Sequence, residues 1–404
     1  MDKKRLLKLW ITVLSVFLPA AVFSCPVRAG TPERTAAVPE LTAAGWNQTG
    51  DLWWYSADET GGTYCKDGWF EIDGAMYCFD KDGWLLENTV TPDDRIVGDG
   101  GQYAGTVQAP ARSAERIITV GEGGDVPTIQ GAVDYLAYHR LDRKESPWII
   151  QVLPGTYPRF TTKNARTGFW DPRYLSIAGT DRELCIVKDG SGEYLTPPAE
   201  ICLNGTVKNL QFVATHDSAP PRLSRAPEYR KSYAVHMDFG TQKVLFDNCA
   251  FTSYQAPAIG AGISDGEEIT FTNCEFSGMG EPMKQFFGDE RDIYTWLTDF
   301  GAFYVHSDMP KGGQAVLTLE NCRIYSKNGA NSLSIFQTED RWLPESTHLT
   351  VRLIGNHAWS DRGNAGASIL IEHKFEGLEV APESSGNNFD DRLQTNAASY
   401  DNAM

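Results

Sequence analysis

The sequence predicts an all-β protein: a single-stranded, right-handed parallel β-helix with an N-terminal capping helix, preceded by a small module of aromatic β-hairpin repeats. Three observations predict it. A short alternating strand ending in Asn, followed by Cys in three of its copies, recurs between residues 207 and 356 at spacings that suggest a turn of about 25 residues. A segment dense in Trp, Tyr and Gly repeats itself before residue 90. A Pro-Thr-led amphipathic stretch, Asp125 to Leu136, stands just ahead of the first apolar strands.

The elements follow in chain order. Lys3, Lys4 and Arg5 precede an apolar run from Leu6 to Phe23, and Val27-Arg28-Ala29 offers a small-residue exit. Residues 1–29 therefore read as a signal peptide, with a retained span or lipidation at Cys25 as the alternatives. No later segment is apolar over about 18 residues, so no membrane span is expected after cleavage. Removal of residues 1–29 takes away five basic residues and one acidic one, moving the formal charge from −17 to −21. A chain this acidic repels phosphate backbones, which excludes nucleic acid as an expected partner. The expected location is secreted, associated with the cell wall or cell surface.

Residues 41–96 hold the aromatic module. Gly45-Trp46 leads to Leu52-Trp53-Trp54-Tyr55, Gly68-Trp69 leads to Met76-Tyr77-Cys78-Phe79, and Gly83-Trp84 opens a third unit. Asp73-Gly74 and Asp82-Gly83 mark the turns, so each unit reads as a short hairpin. Units this small must stack on one another to bury a core. They resemble the choline-binding type of cell-wall-binding repeat. The resemblance implies a ligand cage built from Trp46, Trp54, Trp69, Tyr77 and Trp84, which would hold cell-wall choline by cation–π attraction or another glycan by stacking. The alternative is that these rings are simply the packing surface of the hairpins. Cys65 and Cys78 would suit a disulfide that staples so small a module.

Residues 97–114, rich in Gly, Ala, Gln and Pro, read as a linker. The β-helix is expected over 115–389, and 390–404 reads as a disordered tail. Its recurring string appears at Val207–Phe212, Val244–Phe251, Ile269–Phe276 and Leu317–Ile324, with a weaker copy ending at Asn356. Asn248 and Asn273 are 25 residues apart, while the 48 from Asn273 to Asn321 suggest two such turns. Such repetition is a solenoid signature. Each Asn is expected to hydrogen-bond the next rung at a bend, and Cys249, Cys274 and Cys322 to pack inside as small apolar residues. With no Cys-x-x-Cys or Cys-x-x-His spacing, neither a metal nor another cofactor is expected. Thr128 and the apolar stripe Ile129, Val133, Leu136 predict a short helix over the open first rung.

Ile118-Thr119-Val120, Thr128 to Val133, Leu153 to Tyr157 and Leu175 to Gly179 together resemble the opening of the pectin methylesterase family, over about 240 residues. The resemblance implies an exported carbohydrate esterase that hydrolyses uronate methyl esters on a polysaccharide. One carboxylate attacks the carbonyl, a second transfers protons, a Gln stabilises the oxyanion and an Arg holds the nucleophile ionised. Residue by residue, Gln255 falls on the oxyanion-donor position, Glu281 on the nucleophile (a Glu where the family has Asp) and Arg341 on the supporting Arg. Ala256 stands where the family keeps its acid/base Asp, and Tyr233 where it keeps an earlier Gln. Asp289, Glu290, Asp292, Asp299 and Asp308, or His236 and His306, could supply the missing proton transfer. The alternative is a non-catalytic glycan-binding or adhesive β-helix that has lost the esterase site; a β-helix lyase or glycosidase is a third reading.

Overall fold

The computed structural model describes residues 45–49, 52–58, 61–162, 173–188, 197–214, 233–237, 242–254, 257–279, 302–307, 312–327, 332–336, 348–361, 369–372, 378–389 and 394–395. The expected signal and Cys25 lie outside the described residues. Among the described residues no helix is long and apolar enough to cross a membrane. The chain divides into two compact units, residues 1–86 and 87–404.

The first unit carries two antiparallel hairpins, Trp46–Thr49 with Leu52–Tyr55 and Gly68–Ile72 with Ala75–Phe79. The second turns at Asp73-Gly74, both at positive φ (51° and 80°), the pattern whose twist matches paired strands. Alternation puts Phe70, Ile72, Tyr77 and Phe79 on one face, where they bury with Tyr55, Cys65 and Leu85. Cys78 is opposite Trp69 on the other face. Cys65 and Cys78 thus belong to different sides of the hairpin and both are thiols, so the expected staple is not formed.

The second unit opens with a three-stranded antiparallel sheet, Thr89–Val90, Arg95–Val97 and Tyr103–Thr106. Part of it falls in 97–114, which composition had assigned to a linker. Val97, Val107 and Pro110 are buried there, and short strands of Gly and Ala lack the periodicity that would announce them. The helix α1, Ile129–Tyr138, follows, its first turn capped by Thr128, whose Oγ1 accepts from the Gly131 N–H at 3.0 Å. Thr128 Oγ1 also donates to the Asn88 carbonyl (2.6 Å), and the Thr89 hydroxyl to Asp134 (2.6 Å), which ties the small sheet to α1. Ile129, Ala132, Val133 and Leu136 are fully buried in the same apolar core as the first β-helix strands.

From Ile117 the chain coils through three parallel sheets of nine, eight and eight strands. One turn runs Lys243–Asp247 in the first sheet, Ala250–Ser253 in the second and Ile259–Ile263 in the third. The next turn runs Glu268–Thr272, Glu275–Gly278 and Phe303–Ser307, each strand paired in register with its predecessor. This pairing is that of a parallel β-helix. The last strand of the third sheet, Gln394–Thr395, lies inside the expected tail.

The corner between the first and second sheets explains the Asn-Cys string. Asn209, Asn248, Asn273 and Asn321 all have φ of 52° to 54°, the left-handed conformation that Asn tolerates best after Gly. Each corner N–H donates to the carbonyl just before the next corner: Asn209 to Asp247, Asn248 to Thr272, Asn273 to Glu320 and Asn321 to Ile354. Asn248 Nδ2 adds a bond to Asn209 Oδ1 at 2.9 Å. Cys249, Cys274 and Cys322 turn inward and are buried, each thiol donating to main-chain carbonyls. Two spacing inferences need correction. The strand before Asn321 pairs directly with the strand before Asn273, so those 48 residues make one turn with a long insertion. Gly355 (φ 64°), not Asn356, takes the next corner. Asn356 occupies the cysteine column instead, where its amide bonds Leu319, Cys322 and Asn387.

The interior is filled by rows of rings at the rung spacing. Phe212, Phe251 and Phe276 stack at 5.3 and 5.0 Å, and Phe246 stacks on Phe271 at 4.8 Å. Neighbouring strands lie about 4.8 Å apart, so register alone brings these rings face to face. Each buried ring contributes about 1.5–3 kcal/mol from burial.

Two expectations follow. Replacing Asn273 by Ala should lower stability by about 1–2 kcal/mol, from left-handed strain and a lost ladder bond, while Asn273→Gly should recover most of it. Denaturant midpoints check this, and equal losses for Ala and Gly would mean that the backbone conformation is not the cause. The seven described cysteines are all buried, and burial pushes the Cys65 thiol up to about 12. Alkylating reagent at about pH 8 should therefore leave all seven unmodified until denaturant is added. At Cys65 the raised folded value makes the stabilisation complete below the ordinary thiol range and lost as pH climbs towards about 12.

Candidate functional site

The third sheet presents an outward column on which described polar side chains meet glycine backbone. In register, Thr161 is followed by Glu200, His236, Gly260 and the position of Tyr304. Their strand neighbours Val235, Met237, Ile259 and Ala261 point into the core, so alternation sends this column outward. Glu200 takes Arg159 in an ion pair of 2.8 Å, and Arg159 Nε also donates to the Pro197 carbonyl. The Tyr233 ring lies parallel to the His236 imidazole, 5.4 Å between centroids and 6° between planes.

Gly260 makes that stack possible. A Cβ built on it would fall 2.7–2.8 Å from three atoms of the Tyr233 ring, closer than side chains approach. Tyr233 is therefore seated directly on the backbone of the next rung, and any larger residue at 260 displaces it. The result is a half-buried aromatic wall holding an imidazole flat, with a carboxylate–guanidinium pair one rung away. Such a surface can stack on a sugar ring and move a proton at the imidazole.

Gln255, Glu281 and Arg341 lie outside the described residues, as do Ala256 and the acids between 289 and 299. The strands that lead to the first two are described. Ser253 and Gly278 end neighbouring strands of the second sheet in register, and Met279 N–H donates to the Ser253 carbonyl at 2.7 Å. The segments carrying Gln255 and Glu281 thus leave from the same corner on adjacent rungs. Arg341 belongs to a different connection, after Phe336 in the third sheet and before His348 in the first. The Tyr233–His236–Gly260 constellation was not visible from spacing, because its glycine comes from another rung. Its only trace in sequence is Tyr-x-x-His running into a strand that is followed, one turn later, by Gly-Ala-Gly.

The five aromatic residues assigned to a cage do not share one face. Trp46 packs edge-on to Tyr77 (4.9 Å) and to Tyr55 (5.1 Å), half-buried against the cluster that is the unit's own core. Trp69 is nearly buried, on the opposite face of its hairpin from Tyr77. Trp54 faces away from Trp46 across the first hairpin and meets Tyr64 edge-on at 6.2 Å, with Lys66 Nζ 5.3 Å from the Tyr64 ring centre. Trp84 is half-buried, its backbone N–H held by Asp80 Oδ1 at 2.9 Å. So small a unit uses most of its large rings to bury itself. Among the described residues no cluster of three His, Cys, Asp or Glu side chains could hold a metal ion.

No protein-family model matches the chain, and no curated protein does. Several solved structures are similar to it. The pectin methylesterase of Aspergillus niger shares 14% identity at a TM-score of 0.40, covering 72% of this chain and 83% of that one. A pectin methylesterase from Erwinia chrysanthemi shares 12% identity at 0.36, over 73% and 94% of the two chains. A pectin methylesterase in complex with a hexasaccharide shares 11% identity at 0.35, over 69% and 93%. Likeness at this level does not extend to residue roles. The parallel β-helix itself rests on the strand pairing described above.

Proposed function

We propose that the chain is an exported carbohydrate esterase that hydrolyses ester groups on a polysaccharide, at the outer face of the third sheet. The observation that carries the reading is the Tyr233–His236 stack seated on Gly260, one turn before the corner that leads to Gln255 and Glu281. In this reading Glu281 attacks the ester carbonyl, Gln255 donates to the oxyanion and Arg341 keeps the nucleophile ionised. His236, as imidazolium, gives its proton to the alcohol as the ester C–O bond breaks, then takes one back from the water that hydrolyses the Glu281 anhydride, the steps for which Ala256 has no group. The coil is right-handed, the hand that nearly all parallel crossovers take, and α1 covers its first rung. Cleavage after residue 29 and anchoring through the aromatic module would place the protein at the cell wall. Cation–π attraction at Trp54 and Tyr64 would hold a quaternary ammonium group there.

The non-catalytic reading has its own specific support in Ala256, which removes a carboxylate that the resembling family uses. The two readings separate on methanol or acetate release from esterified uronans. Glu281→Gln should abolish release, and His236→Asn should lower kcat by about 10²–10⁴-fold with little change in KM. Gly260→Ala, which unseats the Tyr233 ring that His236 stacks on, should cost about 10²-fold through misplacement. Release by Glu281→Gln at the wild-type rate would remove the nucleophile, and no release from any ester by the wild type would leave the binder.

The wall-anchoring proposal has a separate check. The full chain should be retained on a trimethylammonium resin and eluted by free choline, and Trp54→Ala should abolish retention. Passage of the unmodified chain straight through the resin would end this part of the reading.

A further inference from the structure

A second cluster stands on the outer face of the neighbouring sheet, two turns beyond the esterase corner. In the strands Arg323–Ser326 and His357–Ser360, register places Arg323 beside His357 and Tyr325 beside Trp359, with Ile324 and Ala358 turned into the core. The His357 imidazole stacks on the Trp359 indole at 4.6 Å and 23°, and Tyr325 lies against the same indole at 5.3 Å. The Tyr325 hydroxyl donates to Asp361 Oδ2 at 2.6 Å, which fixes the ring, and burial followed by this bond pushes its phenol up to about 12. The Trp359 carbonyl accepts from the buried Ser332 hydroxyl at 2.6 Å, so the strand beneath the indole is pinned as well.

Arg323 is the unusual member. It is exposed, and its Cζ sits 5.3 Å from the Trp359 ring centre. Its neighbour in register on the preceding rung is Glu275, but that carboxylate pairs with Arg182 at 3.3 Å. Among the described residues, Arg323 has no ion-pair partner. In a chain of net charge −17, a guanidinium left on an indole rather than on a carboxylate is an open anion site. A guanidinium held against a ring keeps in-plane donors for a planar anion, and a carboxylate is the planar anion that matches it best. The cluster is also polar at both ends and aromatic between. Arg323 and His357 open the strands, Asp361 closes them, and strand rise separates those ends by about 13 Å.

We propose that this face is a binding site for an acidic glycan, in which a uronate ring lies along Tyr325 and Trp359 with its carboxylate on Arg323 and a hydroxyl donating to Asp361. The ligand class follows from the arrangement. A phosphate-bearing or peptide anion would not need the aromatic floor, and a neutral sugar would leave the guanidinium unused. The site is independent of the esterase reading, since Arg323, Tyr325, His357 and Trp359 stand on the second sheet, Asp361 follows it at a turn, and none of them has a role in the ester chemistry.

The test measures calorimetric binding of a fully de-esterified galacturonate hexamer and of a neutral hexaose to the full chain. The acidic hexamer should bind and the neutral one should not. Arg323→Ala and Trp359→Ala should each weaken binding by about tenfold or more, with Arg323→Lys intermediate, while the thermal transition stays in place. Glu281→Gln should bind as the wild type does, so loss of the esterase reading leaves this result standing, and the converse. The proposal is overturned by no binding of the acidic hexamer, by equal binding of the neutral one, or by unchanged affinity in both Arg323→Ala and Trp359→Ala. A change of oligomeric state in Trp359→Ala, seen by sedimentation, would also overturn it, since a second copy of the chain would then be the occupant.

Discussion

Every column of side chains in the β-helix depends on the left-handed corner between its first and second sheets. There the backbone must pass from one sheet to the next within one residue while every corner N–H keeps a partner. Asn209, Asn248, Asn273 and Asn321 solve both problems at once, taking positive φ and passing each corner N–H to the carbonyl before the next corner. Because side chains alternate with a period of two, a slip of one residue at this corner would turn each interior Phe outward. The corner therefore fixes which residues become core and which become ligand-facing.

Interior chemistry changes along the coil while the corner geometry persists. The column just after the corner holds Cys249, Cys274 and Cys322, then Asn356 and Asn387. Thiols need little from their surroundings, and burial together with the Cys249 thiol raises Cys274 well above the ordinary thiol range. Amides need full hydrogen bonding when buried, and Asn356 obtains it by donating to the Leu319 carbonyl and the Asn387 amide oxygen and by accepting from the Cys322 N–H. The switch coincides with the change from Asn to Gly at the corner itself, at Gly355 and Gly386. The Asn321 Oδ1 lies 2.6 Å from where a Cβ on Gly355 would stand, so glycine there is a packing requirement as well as a conformational one.

The same features decide what could be read from sequence. The Asn-Cys string was legible because its cause is local: one left-handed residue followed by one buried small side chain. Turn length was not, since closing a longer loop costs only slightly more, about 0.6 kcal/mol per doubling. Thus 48 residues between corners fit a single turn. Asn356 was misaligned because Asn and Gly are equivalent at positive φ, and only the register of the following strands separates them. The Cys65–Cys78 pairing failed because nearness in sequence does not say which face of a hairpin each residue takes. The candidate site was the least legible part, because Tyr233 is seated by a glycine from a different rung.

A strongly acidic protein that binds an acidic polymer needs a physical reason not to repel it. Screening supplies it, since at physiological ionic strength exposed charges beyond about 8 Å contribute little. What acts on a ligand carboxylate at Trp359 is then the immediate neighbourhood. There the nearest acids are already engaged, Glu275 by Arg182 and Asp361 by the Tyr325 hydroxyl. Arg323 is left as the guanidinium without a described carboxylate, and a neighbouring indole makes removing it from water less costly than for a bare charge. Net charge sets how the whole chain behaves in solution. Recognition on a β-helix is set rung by rung, by which charges the register has already paired and which it has left facing outward.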